Sequence, residues 1–334
     1  MLPPSVLRSV ADRIGGAVLV STRVGSLVGE NLPSLHLLGN SSRREVCAFK
    51  SRPGRVQTPL VRASSAREAS FSIPWTGSSQ LPEKMTMRPI PANSLYVSTP
   101  TWWLESRFHF SFAEYYNSEK SDFGVLRVLN DDLVKPKAGF GTHSHRDMEI
   151  FTYVVDGNLT HKDSIGTSET LERGAVQYMS AGTGIRHSEM NNNDELLRFL
   201  QIWIKPERRG LKPNYGSRVF KKEDRHNKIQ QVVTDFKKFE SENDSGEGVI
   251  PIHQDCNIYV SEADPAVDQD FVLSKGRQAY LVCIEGKLSV SDLVHLDTRD
   301  AVEIRAGASE DLALQLKADK DAGAHFLMIE MALA

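Results

Sequence analysis

Two pairs of donor residues set the chemistry this chain could do: His143-Ser144-His145 and, about forty residues on, His187-Ser188-Glu189. On a β-strand, residues i and i+2 share a face, so each pair can aim both of its side chains at one point. Two such strands facing each other inside a barrel would offer three imidazoles and one carboxylate to a single ion. A three-nitrogen, one-oxygen set with room for water suits Fe(II), Mn(II), Ni(II), Cu(II) or Zn(II), whereas Ca²⁺ and Mg²⁺ prefer all-oxygen cages. One H-x-H among ten histidines reads as a polar strand face; the second pair turns the reading towards a metal. Four protein donors leave one or two positions open on a five- or six-coordinate ion, and an open position distinguishes a catalytic site from a closed structural one.

The flanking residues indicate how the pairs would be held. After His145 the sequence becomes β-branched and aromatic from Glu149 to Val155, then meets Asp156-Gly157 and a second run, Asn158-Leu159-Thr160-His161, which reads as a hairpin. Ser180-Ala181-Gly182-Thr183-Gly184-Ile185-Arg186 is a glycine-punctuated turn that delivers His187 abruptly onto a strand. Glu149, four residues after His145, is an alternative carboxylate to Glu189. His109 and His161 are expected to be hydrogen-bonded or surface residues. Trp102, Trp103, Phe108, Phe110 and Phe112 are expected to face a core. Gln177, Tyr178 and Arg186 lie close enough in sequence to the second pair to be candidates for substrate contact.

This pattern resembles the cupin superfamily. Its first motif has a glycine, H-x-H, a glutamate three or four residues on and a closing glycine, and its second has a glycine turn followed by a histidine and an asparagine. Here Gly182, Gly184, His187 and Asn191 follow the second order. More narrowly, the run from Trp103 to Phe220 is similar to the pirin family, and especially to its bacterial-type members described as quercetin 2,3-dioxygenases. The matching segments are Phe108-His109-Phe110-Ser111-Phe112-Ala113, Leu126 to Asp132, the H-x-H run, Met179 to Glu189 and Gln201-Ile202-Trp203-Ile204. The resemblance implies an all-β bicupin, two tandem β-barrels of the jelly-roll or double-stranded β-helix type. Carried over residue by residue, it places metal ligands at His143, His145, His187 and Glu189. Glu149 would then orient a ligand or accept a proton, since ligating imidazoles usually need a partner for their other nitrogen. Iron as Fe(II) is the expected metal, and Glu149 and Glu189 are the expected acid–base groups. The implied reaction is ring opening of a flavonol-like aromatic by O₂, the acidic 3-hydroxyl of such a substrate losing its proton on coordination. The alternative from another class is a non-enzymatic, iron- and redox-sensing partner of other proteins, including transcription factors.

Composition bounds the rest. The chain has 334 residues and a formal net charge of −3, suiting two domains plus an extension. Residues 1–80 hold ten Lys and Arg against four Asp and Glu, with fourteen serines, while residues 81–334 hold 30 basic and 39 acidic residues. An Arg- and Ser-rich, acid-poor leader ahead of an acidic body is expected to be a transit peptide, plastid rather than mitochondrial, with Val61-Arg62-Ala63-Ser64-Ser65 as the cleavage region. The alternatives are a mitochondrial leader, since Met1 to Arg8 could start either kind, or a disordered regulatory arm on a protein of the cytoplasm or nucleus. The expected divisions are 1–80, leader; 81–212, metal-binding barrel; and 213–334, a second barrel without ligands. No apolar stretch approaches about eighteen residues, so no membrane helix is expected. No basic patch exceeds Lys221-Lys222 or Lys237-Lys238, which leaves nucleic-acid binding without electrostatic support. Cys47, Cys256 and Cys283 are odd in number and far apart, arguing against a disulfide framework and for a reducing compartment. A monomer is expected.

The second half echoes the first. Thr152 to Thr160 and Leu281 to Ser289 both run apolar, acid-glycine, apolar at an offset of 129, which would put Val272 and Ser274 at the positions of His143 and His145. The echo carries no ligands. Asp300 to Ala308 likewise resembles the strand before the second motif, with no histidine after it. His253 and His325 are unpaired and expected to be structural. Lys205 to Tyr215 reads as a connector and Lys237 to Gly248 as an exposed loop.

Overall fold

The computed structural model describes residues 84–241 and 248–333. The expected leader, and Cys47 within it, lie outside the described residues. The described chain runs through β1 (Thr86–Ile90), β2 (Tyr96–Thr101), β3 (Leu104–Phe108), β4 (Leu126–Val134), β5 (Ala138–His145) and β6 (Glu149–Asp156). Next come β7 (Leu159–Asp163), β8 (Ser168–Leu171), β9 (Ala175–Ser180), β10 (Ile185–Asn191), β11 (Leu197–Ile204) and β12 (Asn214–Val219). Two short helices, α1 (Lys222–Arg225) and α2 (Phe236–Ser241), flank β13 (Gln230–Asp235). Then follow β14 (Ile250–Ile252), β15 (Cys256–Ala263), β16 (Asp268–Leu273), β17 (Arg277–Gly286) and β18 (Leu288–Val290). The last strands are β19 (Val294–Leu296), β20 (Ala301–Arg305), β21 (Leu312–Ala318) and β22 (Ala324–Ala332). The expected exposed loop thus starts as the end of α2. No described helix is long and apolar enough to cross a membrane.

The strands form two copies of one design. A seven-stranded sheet ordered β12-β9-β6-β11-β4-β3-β2 faces a four-stranded sheet ordered β5-β10-β7-β8. In the second lobe, β1-β20-β17-β22-β15-β13-β14 faces β16-β21-β18-β19. The fold is therefore the expected all-β bicupin. The echo between the halves is real at the hairpins: Gly157 and Gly286 turn at φ of 78° and 74°, where glycine escapes the steric cost of a side chain.

Two strands cross the expected division. β1 pairs with β20 in the second lobe's sheet, and β12, beyond residue 212, pairs with β9 in the first. Each lobe's sheet thus takes an edge strand from beyond the expected division. That exchange ties the lobes together, as does the apolar layer where the two large sheets meet. Phe151, Tyr153, Tyr178, Leu200 and Ile202 from the first lobe share one buried cluster with Val233, Ile258, Tyr280, Val282, Leu327 and Ile329 from the second. This burial on both faces explains why β6 and β17 read as nearly continuous apolar runs rather than alternating ones.

Polar groups also span the junction. Asp131 accepts from Arg198 Nε at 2.9 Å and Nη2 at 2.7 Å, and from Arg299 Nε of the second lobe at 2.8 Å. His109 is buried with Nδ1 2.8 Å from Tyr280 Oη, and His325 is buried with Nε2 2.8 Å from Tyr153 Oη and Nδ1 2.9 Å from Glu285. Both are hydrogen-bonded structural histidines. Of the aromatic run, Phe108 and Phe110 are buried, but Trp102 is 71% exposed at the turn between β2 and β3, contrary to the expectation of a core position. Cys256 and Cys283 are both buried and unpaired.

Candidate metal centre

The two donor pairs meet on adjacent antiparallel strands. β5 pairs with β10 so that His143 stands opposite His187 and His145 opposite Ile185, and the register shifts before Glu189, which stands opposite Phe140. Two glycines make room for this. A Cβ on Gly182, where φ is 43°, would lie 2.1 Å from Leu211 O, and one on Gly139 would lie 2.4 Å from Glu189 O. Any larger residue would push the turn or the strand carrying the donors out of place.

His143, His145 and His187 converge. Their donor nitrogens all lie within 4.8 Å of one another, and His143 Nε2 is 3.0 Å from His187 Nε2. His143 Nδ1 is 2.8 Å from Gly141 O and donates to it, which leaves Nε2 as the nitrogen directed at His187. Burial, reinforced by the neighbouring imidazoles, pushes His145 down to about 4 and His187 down to about 3. At neutral pH both rings are therefore uncharged, the form a metal requires. Three imidazole nitrogens facing one point fit a borderline transition metal.

Glu189 shares the inward face of β10 with His187 but is not in that compact group. It is 3% exposed, and it reaches across the barrel to the large sheet. Its Oε1 accepts from Thr152 Oγ1 at 2.7 Å and Gln177 Nε2 at 3.2 Å; Oε2 accepts from Gln201 Nε2 at 3.0 Å.

Glu149 requires a correction. On β6 it has the parity of Phe151 and Tyr153, which pack into the layer between the lobes, whereas Thr152 faces Glu189. Its carboxyl accepts from Tyr178 Oη at 2.6 Å and Ser180 Oγ at 2.9 Å, and burial pushes its pKa up. Glu149 thus lies on the face of β6 opposite that of Thr152 and bonds to β9 rather than to any of the three histidines. Tyr178 is turned away with it, and Arg186 points outwards and is exposed. Of the three neighbours of the second pair, the structure brings only Gln177 to the site.

Several residues here were not singled out from the sequence. Thr152 and Gln201 are polar residues inside the apolar runs EIFTYVVD and LRFLQIWI, and that interruption was the available signal. Trp203 packs edge-on against His145 with ring centroids 4.9 Å apart. His161, expected to be hydrogen-bonded or at the surface, is hydrogen-bonded and fully buried: it stacks on Tyr215 at 4.3 Å, sits 3.2 Å from Asp163 and lies 5.4 Å from the His187 ring. His161 Nδ1, His187 Nδ1, Gln177 Oε1, Trp203 Nε1 and Asn130 Oδ1 are buried without a partner among the described residues. Such a concentration of unsatisfied polar atoms marks a place meant for a polar occupant.

Comparison with known proteins agrees with this geometry. The family profile described as Pirin matches residues 92–204, and that described as Quercetinase C-terminal cupin domain matches residues 241–331. A protein of Caulobacter vibrioides named pirin-like protein is 40% identical over 220 residues, covering 66% of this chain and 90% of its own. The chain belongs to the pirin family. Another relative, named quercetin 2,3-dioxygenase, from Escherichia coli K12, is 37% identical over 223 residues, covering 66% of this chain and 88% of its own. Among solved structures, the bacterial pirin YhhW of Escherichia coli in complex with nickel(II) is 33% identical with a TM-score of 0.65, covering 75% of this chain and 100% of that one. The first profile starts just after β1, consistent with that strand's place in the other lobe.

Proposed function

We propose that this pirin-family protein is a mononuclear-metal dioxygenase that uses O₂ to open an enol- or catechol-bearing aromatic ring, with a flavonol such as quercetin as the first candidate. The observation that carries the proposal is the convergence of His143, His145 and His187 within 4.8 Å, on a chain 37% identical to a protein named quercetin 2,3-dioxygenase. His143, His145, His187 and Glu189 would hold the ion, with Fe(II) the choice for O₂ chemistry and Mn, Ni, Cu or Zn the other metals this donor set accepts. A bound redox metal supplies charge stabilisation and the electron path that spin-forbidden O₂ chemistry requires. The chain's own residues do the rest. Trp203 against His145 and Phe140 beside His143 give the centre aromatic walls. Gln177 Oε1 and Trp203 Nε1, both without partners, offer one acceptor and one donor to a hydroxylated substrate. Glu189 adds the negative charge.

The test is aerobic turnover of quercetin by the Fe(II)-loaded full chain, with metal content measured on the same sample. Loss of flavonol absorbance with oxygen uptake and carbon monoxide release, all abolished in His145→Ala, supports the dioxygenase. Stoichiometric metal without turnover would shift the reading to a non-enzymatic, metal-dependent interaction protein. We also infer that residues 1–80 act as a plastid-targeting leader, from their Arg- and Ser-rich, acid-poor composition. Incubation of a 1–80 fusion with isolated chloroplasts should yield a shortened product inside them, and failure to import would refute it.

A further inference from the structure

Opposite Glu189, the large sheet of the first lobe carries a transverse row of polar side chains. Gln177 stands directly opposite Thr152, Thr152 opposite Gln201, and Gln201 opposite Asn130, across the neighbouring strands β9, β6, β11 and β4. Residues paired in this way share one face of a sheet, so all four look into the barrel. The row on one side of them is apolar, with Met179, Ile150, Trp203 and Val128. On the other side Val154 and Phe199 are apolar and Asp132 closes the row. Burying amides and hydroxyls in such a wall costs free energy unless they bind something. Three of the four bind one carboxylate.

The pattern of those bonds is asymmetric. Oε1 of Glu189 accepts two hydrogen bonds, from Thr152 and Gln177, and Oε2 accepts one, from Gln201. A carboxylate oxygen has two in-plane lone-pair directions, so Oε1 is filled and Oε2 keeps one direction free.

The second lobe supplies a comparison within the same molecule. Its corresponding row is Val302, Leu281, Met328 and Tyr259, again directly opposite one another across four neighbouring strands. Val302, Leu281 and Met328 lie in an apolar cluster, with Tyr259 packed partly buried against it. Where the barrel has no histidine centre, it has no polar row.

We propose that Thr152, Gln177 and Gln201 are positioning residues that present Glu189 to the metal through a single oxygen, Oε2, and prevent it from binding through both. The inference rests on the reading of Glu189 as the fourth ligand. The row thereby fixes how many coordination positions the protein fills. Glu189 takes one place rather than two, and the place left over is available to substrate or O₂.

Cobalt(II) binding to the full chain tests this without turnover, since competition against a chelator gives affinity and the intensity of the visible bands reports coordination number. Thr152→Val and Gln201→Leu should each weaken cobalt binding by about 10- to 100-fold, the usual effect of losing a partner of a metal ligand. Both should also alter the visible spectrum, while Thr152→Ser, which keeps the hydroxyl, restores affinity and spectrum. In a Glu189→Gln background the Thr152→Val change should add almost nothing, because the row acts through that carboxylate. Wild-type affinity and spectrum in both Thr152→Val and Gln201→Leu would overturn the positioning role. If Glu189→Gln itself binds cobalt with wild-type affinity and spectrum, the four-ligand reading falls and this inference with it. Should Thr152→Val fail to fold, Gln201→Leu with Thr152→Ser decides the question.

Discussion

Asp132 allows a quantitative test of how the barrel interior treats charge. It is 4% exposed, shares the inward face of β4 with Asn130, and accepts a hydrogen bond from Ser106 Oγ. Burial, with added repulsion from Asp131 and Glu189, raises its pKa from the model-peptide value of 3.8 to about 7. The folded state therefore holds a proton that the unfolded state has released over the window from about pH 4 to pH 7. For an acid whose pKa is raised on folding, the stabilisation is complete below the unfolded pKa and is lost as pH rises through the folded one. At about 1.4 kcal/mol per pKa unit, a shift of roughly three units amounts to up to about 4 kcal/mol. Asp132→Asn keeps the shape and removes the titration. Urea unfolding of the metal-free full chain at pH 5, 6, 7 and 8 should find the variant gaining on the wild type with rising pH, by about 3 kcal/mol over the two units between pH 5 and the folded pKa, the rest of the difference having accrued below pH 5. The comparison must be made as a difference because His145 and His187 act in the opposite sense. Their lowered pKa values make the protein lose stability as pH falls below about 6.5, in both variants alike. Parallel pH profiles for wild type and Asp132→Asn would refute the reasoning.

Three further outcomes follow from the geometry. His145→Ala should abolish stoichiometric metal binding while the second lobe stays folded, and equilibrium dialysis with near-UV circular dichroism would detect either failure. Glu149→Gln should retain full metal affinity, since Glu149 bonds to Tyr178 and Ser180 on the far face of β6; loss of the metal would show that the face assignment is wrong. Asp131→Ala strands Arg198 and Arg299 at the junction between the lobes and should cost about 3–5 kcal/mol by denaturant titration, against less than 1 for an exposed pair such as Lys320–Asp321.

The spacing of two i, i+2 pairs was enough to identify the three histidines, because the same-face rule of a strand needs no knowledge of the fold. The carboxylates were harder. Glu149 lies closer in sequence to the first pair than Glu189 does, yet its distance from His145 places a bend between them, and on the new strand it takes the parity of Phe151 and Tyr153. Parity counting cannot be carried across a turn. Thr152 and Gln201 went unremarked for a related reason. Each is a single polar residue in an apolar strand, and its meaning appears only when β6, β9 and β11 lie side by side with β10 facing them. The exchange of β1 and β12 between lobes was equally invisible, since pairing over such distances along the chain leaves no local pattern.

The second lobe shows how far an internal repeat can be read. The offset of 129 aligns the hairpins and the row position, since Leu281 stands where Thr152 does, and it places Val272 at the position of His143. In the structure Val272 is 60% exposed and faces outwards, while Phe271 and Leu273 turn inwards opposite Leu314 and Leu312. The repeat has slipped by one residue between the hairpin and this strand, and a one-residue slip exchanges the faces completely. The conclusion that the lobe has no ligands nevertheless holds more strongly than the offset implied. At the inward positions of β16 and β21, Phe271, Leu273, Leu312, Leu314 and Leu316 are apolar, and the one buried amide, Gln269, accepts from Ser261 Oγ at 2.9 Å. Donors and polar row are absent together, and that is the physically consistent state, since amides facing a barrel with no carboxylate to bind would cost desolvation without return. The second lobe covers the large sheet behind the three histidines, burying Phe151, Tyr153 and Tyr178 against Ile258, Tyr280 and Leu327.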